Sequence, residues 1–279
     1  MKFDVIIGNP PYQLGDNSNF YVGFIERAGE LLKNGARFGF VIPNRFLRPS
    51  SRAAITMSQW LDVEFVLPSV NRHFPGVGTD IGFITGVKSS NPDWSKIVPL
   101  KFDDGVILNK RLSDPSPTVS PNRLSISIID KVINHPGERL TINRDASPYY
   151  VYISPLLKRY CPRKLRGGPL NLQIAINNTD GMYRGKHMYF ITSKELEINS
   201  WFMASSNLGR FVTYSFSSDF HSASSLWVKG CIPQLPATLS KTNQAIYQHF
   251  GITQEEVKYL ERELFAIAES QGITDEQED

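Results

Sequence analysis

The chain is poor in the features that most often narrow a function at once. Its 279 residues include only two cysteines, Cys161 and Cys231. No CxxC pair or cysteine–histidine cluster has zinc spacing, so both thiols are expected to be free, as in a cytoplasmic chain. The five histidines, His73, His135, His187, His221 and His249, are scattered and form neither an HxxxH pair nor a triad pattern. There is no Gly-x-Ser-x-Gly elbow, no Walker-type phosphate loop and no nuclease-type carboxylate motif. No apolar run approaches the roughly 18 residues a membrane span needs. The amino terminus opens on a strand-like run, so no signal peptide is expected. Charge of one sign is lacking too: 30 Lys+Arg stand against 27 Asp+Glu, net +3. That permits a nucleic-acid partner without requiring one. Internal repeats and long low-complexity tracts are absent. An apolar content of 41% is that of a globular chain, long enough for one large domain or two modest ones.

What is present is concentrated near the start, in the sequence FDVIIGNPPY over 3–12. The apolar run 3–8 reads as a short buried strand ended by glycine. Pro10 and Pro11 fix φ and remove two amide donors, and Asn9, preceding a proline, is pushed to extended geometry. A stiff loop at the carboxyl end of a strand results, showing the amide of Asn9 and the ring of Tyr12. In open α/β sheets that is where ligands bind. Phe20, Tyr21, Phe24, Ile25, Ala28, Leu31 and Leu32 then recur at helical spacing, with Asn19 as a cap and Asn34-Gly35 as a stop. A second strand over 37–43 follows, giving a crossover with parallel strands. A helix is expected over 50–61, a third strand over 64–67 and a fourth over 81–87. Phe74, Gly76 and Gly78 spell FxGxG, but a cofactor loop should follow a strand and open a helix. Here a strand follows, so a tight turn into a hairpin is expected.

Residues 91–121, rich in Asp, Pro, Ser and Asn, read as a linker. A helix over 123–134 ends before Pro136. From 138 to 231 aromatics, Gly and Ser dominate, and a second, mostly β or irregular domain is expected. Its clearest feature is a basic cluster: Lys158, Arg159, Arg163, Lys164 and Arg166, beside Gly167-Gly168. Such a cluster suits DNA phosphate contact, although a charge run is equally a solvated face. The tail is helical, opened by the capping box Thr253-Gln254-Glu255-Glu256. The division this suggests is 1–110, 111–240 and 241–279.

FDVIIGNPPY resembles the catalytic motif of the amino-methyltransferases, above all the N6-adenine DNA methyltransferases of restriction–modification systems. The resemblance implies an α/β fold: a partial Rossmann-like methyltransferase sheet followed by a mixed α+β target-recognition domain. It implies S-adenosyl-L-methionine as methyl donor and double-stranded DNA as partner. It extends to residues 200–233, similar to a late target-recognition region, and to 246–256, similar to a carboxyl-terminal signature of such enzymes. Within it, Asn9, Pro10, Pro11 and Tyr12 are the catalytic residues. Gln13, Asn44, Arg45 and Phe46 would line the target-base pocket, with Phe20 or Tyr21 beside them.

The chemistry agrees with that assignment. The N6 lone pair of adenine is delocalised into the ring, so the amine is a poor nucleophile. Two acceptors for its N–H groups, the Asn9 side-chain oxygen and the Pro10 carbonyl, would favour the nucleophilic form. The base must be flipped out of the duplex, and the Tyr12 ring would stack on it. In the family the motif usually follows a cofactor-binding half, which is not found here. That half is expected either on a second chain, as in a split enzyme, or on a longer frame of which this sequence is a fragment, and the 3–7 strand should show an apolar edge. Two alternatives stay open: an inert DNA-recognition subunit, and an NPPY methyltransferase acting on RNA or on protein glutamine.

Overall fold

In the computed structural model the run 3–8 is strand β1 (Phe3–Gly8) and is followed by helix α1 (Phe20–Leu31) and strand β2 (Leu32–Pro43). The structure describes residues 2–15, 19–139, 142–143, 149–153, 172–176, 188–191, 198–199, 201–202, 206–215 and 231–270. Strands β1 and β2 pair in parallel, Ile6 opposite Phe38 and Gly8 opposite Phe40, as the crossover pattern requires. Two local expectations change. Asn19 sits at the cap position of α1 without a side-chain capping bond. The helix also stops at Leu31 rather than at Asn34-Gly35. Residues 33–36 instead form an irregular start to β2, where Gly35 takes φ 76 and the register with β1 shifts between Phe3 and Val5.

Helix α2 (Arg52–Ser58) follows, shorter than the pattern suggested and capped by the Ser51 side chain, which accepts from the Ala54 amide. Strands β3 (Leu61–Leu67), β4 (Ile81–Lys88), β5 (Ile97–Lys101) and β6 (Ile107–Arg111) complete a mixed sheet in the order β1-β2-β4-β3-β5-β6. The fold is α/β. The connection from β3 to β4 contains Phe74, Gly76 and Gly78 and joins two antiparallel neighbours, as a hairpin does, but it runs over 68–80 with a short helical turn at Asn71–His73 rather than as one tight turn. The linker reading of 91–121 does not hold. Strands β5 and β6 pair antiparallel through it, and Val98, Leu100 and Leu112 are buried. The turn Asp104-Gly105 was the missed signal: Asp-Gly between short apolar runs is a hairpin turn.

One face of this sheet is covered. Phe38, Phe40 and Ile42 of β2 alternate inward and meet Tyr21, Val22, Ile25 and Ala28 of α1 in a single core. Fully burying each such side chain contributes about 1.5–3 kcal/mol. Gly29 lets α1 sit directly on Trp60: a Cβ there would lie 2.6 Å from the indole nitrogen. The other face is open at the β1 edge, where Phe3, Val5 and Ile7 are 40%, 53% and 75% exposed. The apolar edge expected of that strand is therefore present.

Contacts divide the chain into Met1–Ile126 and Ser127–Asp279, the division falling within helix α3 (Arg123–Ile133). The second unit contains strands β7 (Ile142–Asn143), β8 (Tyr149–Ile153), β9 (Leu172–Ile176) and β10 (Met188–Ile191), in the order β7-β10-β8-β9. Helices α4 (Asn207–Ser215), α5 (Asn243–Phe250) and α6 (Gln254–Ser270) follow. The capping box forms as expected. The Glu256 amide donates to Thr253 Oγ1 at 3.3 Å, and the Thr253 amide to Glu256 Oε2 at 2.7 Å. Glu256 is buried and also receives Ser127 Oγ at 2.7 Å and Lys131 Nζ at 2.6 Å. Phe250 packs inside and Gly251 ends α5 at φ 63.

Candidate active site

The loop after β1 stands at the carboxyl end of its strand. Pro10 is buried and anchors the turn, Asn9 and Pro11 are exposed, and Tyr12 is half-buried. The Tyr12 hydroxyl donates to Asn9 Oδ1 at 2.7 Å. Burial pushes the Tyr12 hydroxyl above its ordinary pKa, against a smaller opposing effect of the bond to Asn9. The phenol therefore stays protonated, and a donor, throughout the neutral range. Gln13 and Leu14 follow, both exposed, Leu14 at 64%. The four motif residues thus form one constellation, an exposed amide oxygen and a half-buried ring on a rigid Pro-Pro backbone anchored by buried Pro10.

The residues expected around the base separate. Asn44 is 1% exposed, and its Nδ2 donates to the Pro68 carbonyl at 2.8 Å. Its backbone N–H donates to the Asp80 carbonyl at 2.9 Å. Asn44 therefore ties the end of β2 to the end of β3 and the start of β4. Its Oδ1 has no hydrogen-bond partner and faces Gly82, where a Cβ would lie 2.5 Å away. Phe46 is wholly buried in the core beneath the sheet. These positions do not line an open pocket: the short helical turn 44–47 folds inward because Phe46 and Leu47 are apolar. Arg45 points the other way and donates to Asn19 Oδ1 at 3.2 Å. Tyr21 is core and Phe20 is half-buried at the start of α1. Nearby, burial raises the Asp80 carboxyl pKa against a bond from the Ser120 amide.

Beside this rim lies a groove of about 340 Å³, lined by Asn19, Phe20, Gly23, Phe24, Arg27 and Arg52. Sequence reading did not single out Arg27 or Arg52. For Arg27 the signal available was the spacing of Phe20, Gly23 and Arg27 along one helical face; for Arg52, on the next helix, there was none.

The remaining expectations lie elsewhere. The basic cluster Lys158, Arg159, Arg163, Lys164 and Arg166 lies outside the described residues, as does most of 200–233. Phe211 in that stretch is buried in α4, edge-on to Tyr259 of α6 at 5.8 Å. The FxGxG turn at Phe74, Gly76 and Gly78 does not fit S-adenosyl-L-methionine. The turn at Gly76 and Gly78 leads into a strand, and an added Cβ at either glycine meets nothing within 4 Å. Among the described residues it forms no close-fitting cradle. No described helix is long and apolar enough to cross a membrane.

An α/β sheet with a Pro-Pro loop at a strand's carboxyl end is the setting in which the methyltransferase motif was expected. Residues 1–61 match the Eco57I restriction-modification methylase family. The likeness to restriction–modification methylases drawn from FDVIIGNPPY is thus confirmed for this segment. No curated protein matches the chain. Among solved structures, it is similar to a chain from a study of complex assembly and conformational transition in a type I R-M system. That match has 20% identity and a TM-score of 0.29, covering 41% of this chain and 27% of the other. It is also similar to the M protein of the type I restriction enzyme EcoKI, with 15% identity and a TM-score of 0.30, covering 99% and 52%. The chain spans 27% and 52% of the length of these two solved chains.

Proposed function

We propose that this chain is the base-holding part of a DNA methyltransferase acting on the N6 amine of adenine, completed by a second polypeptide. The observation that carries this reading is the 9–12 loop, within the segment that matches the restriction-modification methylases. Asn9 Oδ1 and the Tyr12 ring stand together on the exposed side of a backbone stiffened by two prolines. An adenine amine entering there would replace the Tyr12 hydroxyl as donor to Asn9 and give its second N–H to the Pro10 carbonyl. Tyr12 would stack on the extruded base. Neither acceptor is a strong base, so this chain's contribution is positioning and polarisation of the amine.

The second polypeptide is argued from the surface. Phe3, Val5 and Ile7 lie exposed on an edge strand, and such an edge pairs readily with another strand. The methyl group would come from S-adenosyl-L-methionine, as in the family that the 9–12 motif resembles, and that polypeptide would hold it.

The test is transfer of labelled methyl groups to duplex DNA by this chain mixed with the product of the neighbouring reading frame. N6-methyladenine in the digested DNA is the expected result, abolished by Asn9→Ala. Label in RNA or in protein glutamine would move the substrate. Salt-sensitive DNA binding without any label would make the chain an inert recognition subunit.

A further inference from the structure

The groove beside the loop has a composition of its own. Phe20, Gly23, Phe24 and Arg27 form one stripe along α1, opposite the stripe of Tyr21, Val22, Ile25 and Ala28 that enters the core. Phe20 and Phe24 meet edge-on, centroids 5.6 Å apart at 78°, and Phe24 keeps 41% of its surface in solvent. Gly23 forms the floor between them, and a Cβ there would meet nothing within 4 Å. Two guanidiniums close the groove. Arg27 pairs with Glu30 at 2.5 Å and Arg52 with Glu26 at 3.2 Å. All four side chains are well exposed, so solvent screens both pairs and each holds only weakly. A phosphate can therefore replace either glutamate, with a stronger, bidentate geometry. Asn19, bonded by Arg45, ties the groove to the end of β2 and hence to the carboxyl rim that carries the 9–12 loop.

We propose that this groove holds one nucleotide of the DNA strand beside the extruded base, its base against Phe24 and its phosphates on Arg27 and Arg52. The proposal rests on reading the 9–12 loop as a DNA-modifying site, and it says where the flanking strand runs. Alternation of an exposed aromatic face with guanidiniums is the chemistry of single-stranded nucleic-acid grooves. A volume near 340 Å³ has room for one nucleotide and none for a duplex. An acidic peptide would use the arginines but leave the Phe24 face and the bare floor at Gly23 without a role.

The test is fluorescence anisotropy of the full chain with a fluorescein-labelled single-stranded oligonucleotide, titrated with salt. Arg27→Gln with Arg52→Gln should weaken binding at least tenfold. It should also lower the slope of log affinity against log salt by about 1.4, at about 0.7 per phosphate lost. Lysine at both positions should restore the slope. Gly23→Leu fills the floor while improving helix propensity, so misfolding does not account for its effect. It should weaken binding at least tenfold and leave the slope unchanged. Binding by both variants equal to that of the unaltered chain overturns the proposal. So does equal competition by polyglutamate, or no binding by the unaltered chain.

The 9–12 loop is read separately, by the fluorescence of 2-aminopurine placed at the target adenine. Loss of that signal in Tyr12→Ala with normal binding by the groove variants defeats the groove and leaves the loop reading standing. Weak binding by the groove variants with an unchanged signal in Tyr12→Ala defeats the loop reading and leaves a nucleic-acid groove.

Discussion

The Tyr12 hydroxyl donates to Oδ1 of Asn9 at 2.7 Å. The group proposed to receive the amine of the target base is therefore already engaged by its own neighbour. Tyr12→Phe keeps the ring and removes this competitor. A duplex carrying an unpaired target base should bind up to about tenfold more tightly, the worth of one neutral hydrogen bond. Tyr12→Ala removes the stacking face and should weaken the same complex by about 1–3 kcal/mol. Anisotropy titrations with a duplex that carries adenine as the unpaired base, the label placed away from it, separate the two. Equal losses in both variants would show that the hydroxyl, not the ring, holds the base.

The exposed β1 residues give a second prediction. Ile7 is 75% exposed, so Ile7→Lys should change the stability of this chain by no more than about 0.5 kcal/mol. The same substitution places a charge on the surface proposed to receive the second polypeptide, and it should abolish methyl transfer by the mixture. Thermal unfolding and labelling of the same preparation check both halves. Unimpaired labelling would exclude β1 as the docking edge.

Gly82 offers a third. A methyl group there would press on Asn44 Oδ1 at 2.5 Å and on the Leu67 carbonyl at 2.8 Å. Gly82→Ala should cost about 1–3 kcal/mol, as overpacking does, and loosen the tie between β2, β3 and β4. Urea unfolding measures it. A neutral result would mean that the Asn44 amide swings aside at little cost.

Glu256 gives a pH dependence. Burial raises its pKa, but the Lys131 ammonium, the Thr253 amide and the Ser127 hydroxyl outweigh that and hold it below the ordinary carboxylate value. A folded pKa below the unfolded one means stability that is present above the unfolded pKa. It is lost as pH falls through the folded one. The second unit should therefore weaken as pH falls below the ordinary glutamate value, and Glu256→Gln should flatten that limb while costing about 1–3 kcal/mol at neutral pH. Urea unfolding from pH 3 to 7, followed by far-ultraviolet circular dichroism, gives both.

Much of the first unit was legible because its signals are local. The alternation in 37–43, the stripe beginning at Phe20 and the Pro-Pro turn each specify one geometry, and β1, α1 and β2 follow. The capping box at Thr253 and Glu256 is equally local. The hairpin β5–β6 was hidden because each strand is short and sits among Pro, Ser and Asp. Only docking on β3 makes those strands pay their ordering cost. Asn44 and Phe46 misled for a different reason. A polar residue at a strand's end suggests a ligand, whereas here the side-chain amide is used up on the Pro68 carbonyl after β3. Arg27 and Arg52 come together only when α1 and α2 pack, and spacing along one helix cannot show that.

The register shift between Phe3 and Val5, opposite residues 33–36, has a bearing on how this chain tolerates change. The strands come into regular pairing only from Val5 and Arg37 onward. The irregular segment before them lies at the sheet's opposite end from the 9–12 loop. Insertions or deletions between Lys33 and Ala36 can be taken up there, as slack in a rope is taken up far from its knot. The pairing of Gly8 with Phe40 stays in place through such changes. Sequence drift at the turn after α1 is thereby insulated from the chemistry, and homologous chains should vary in length there before they vary anywhere along the rim.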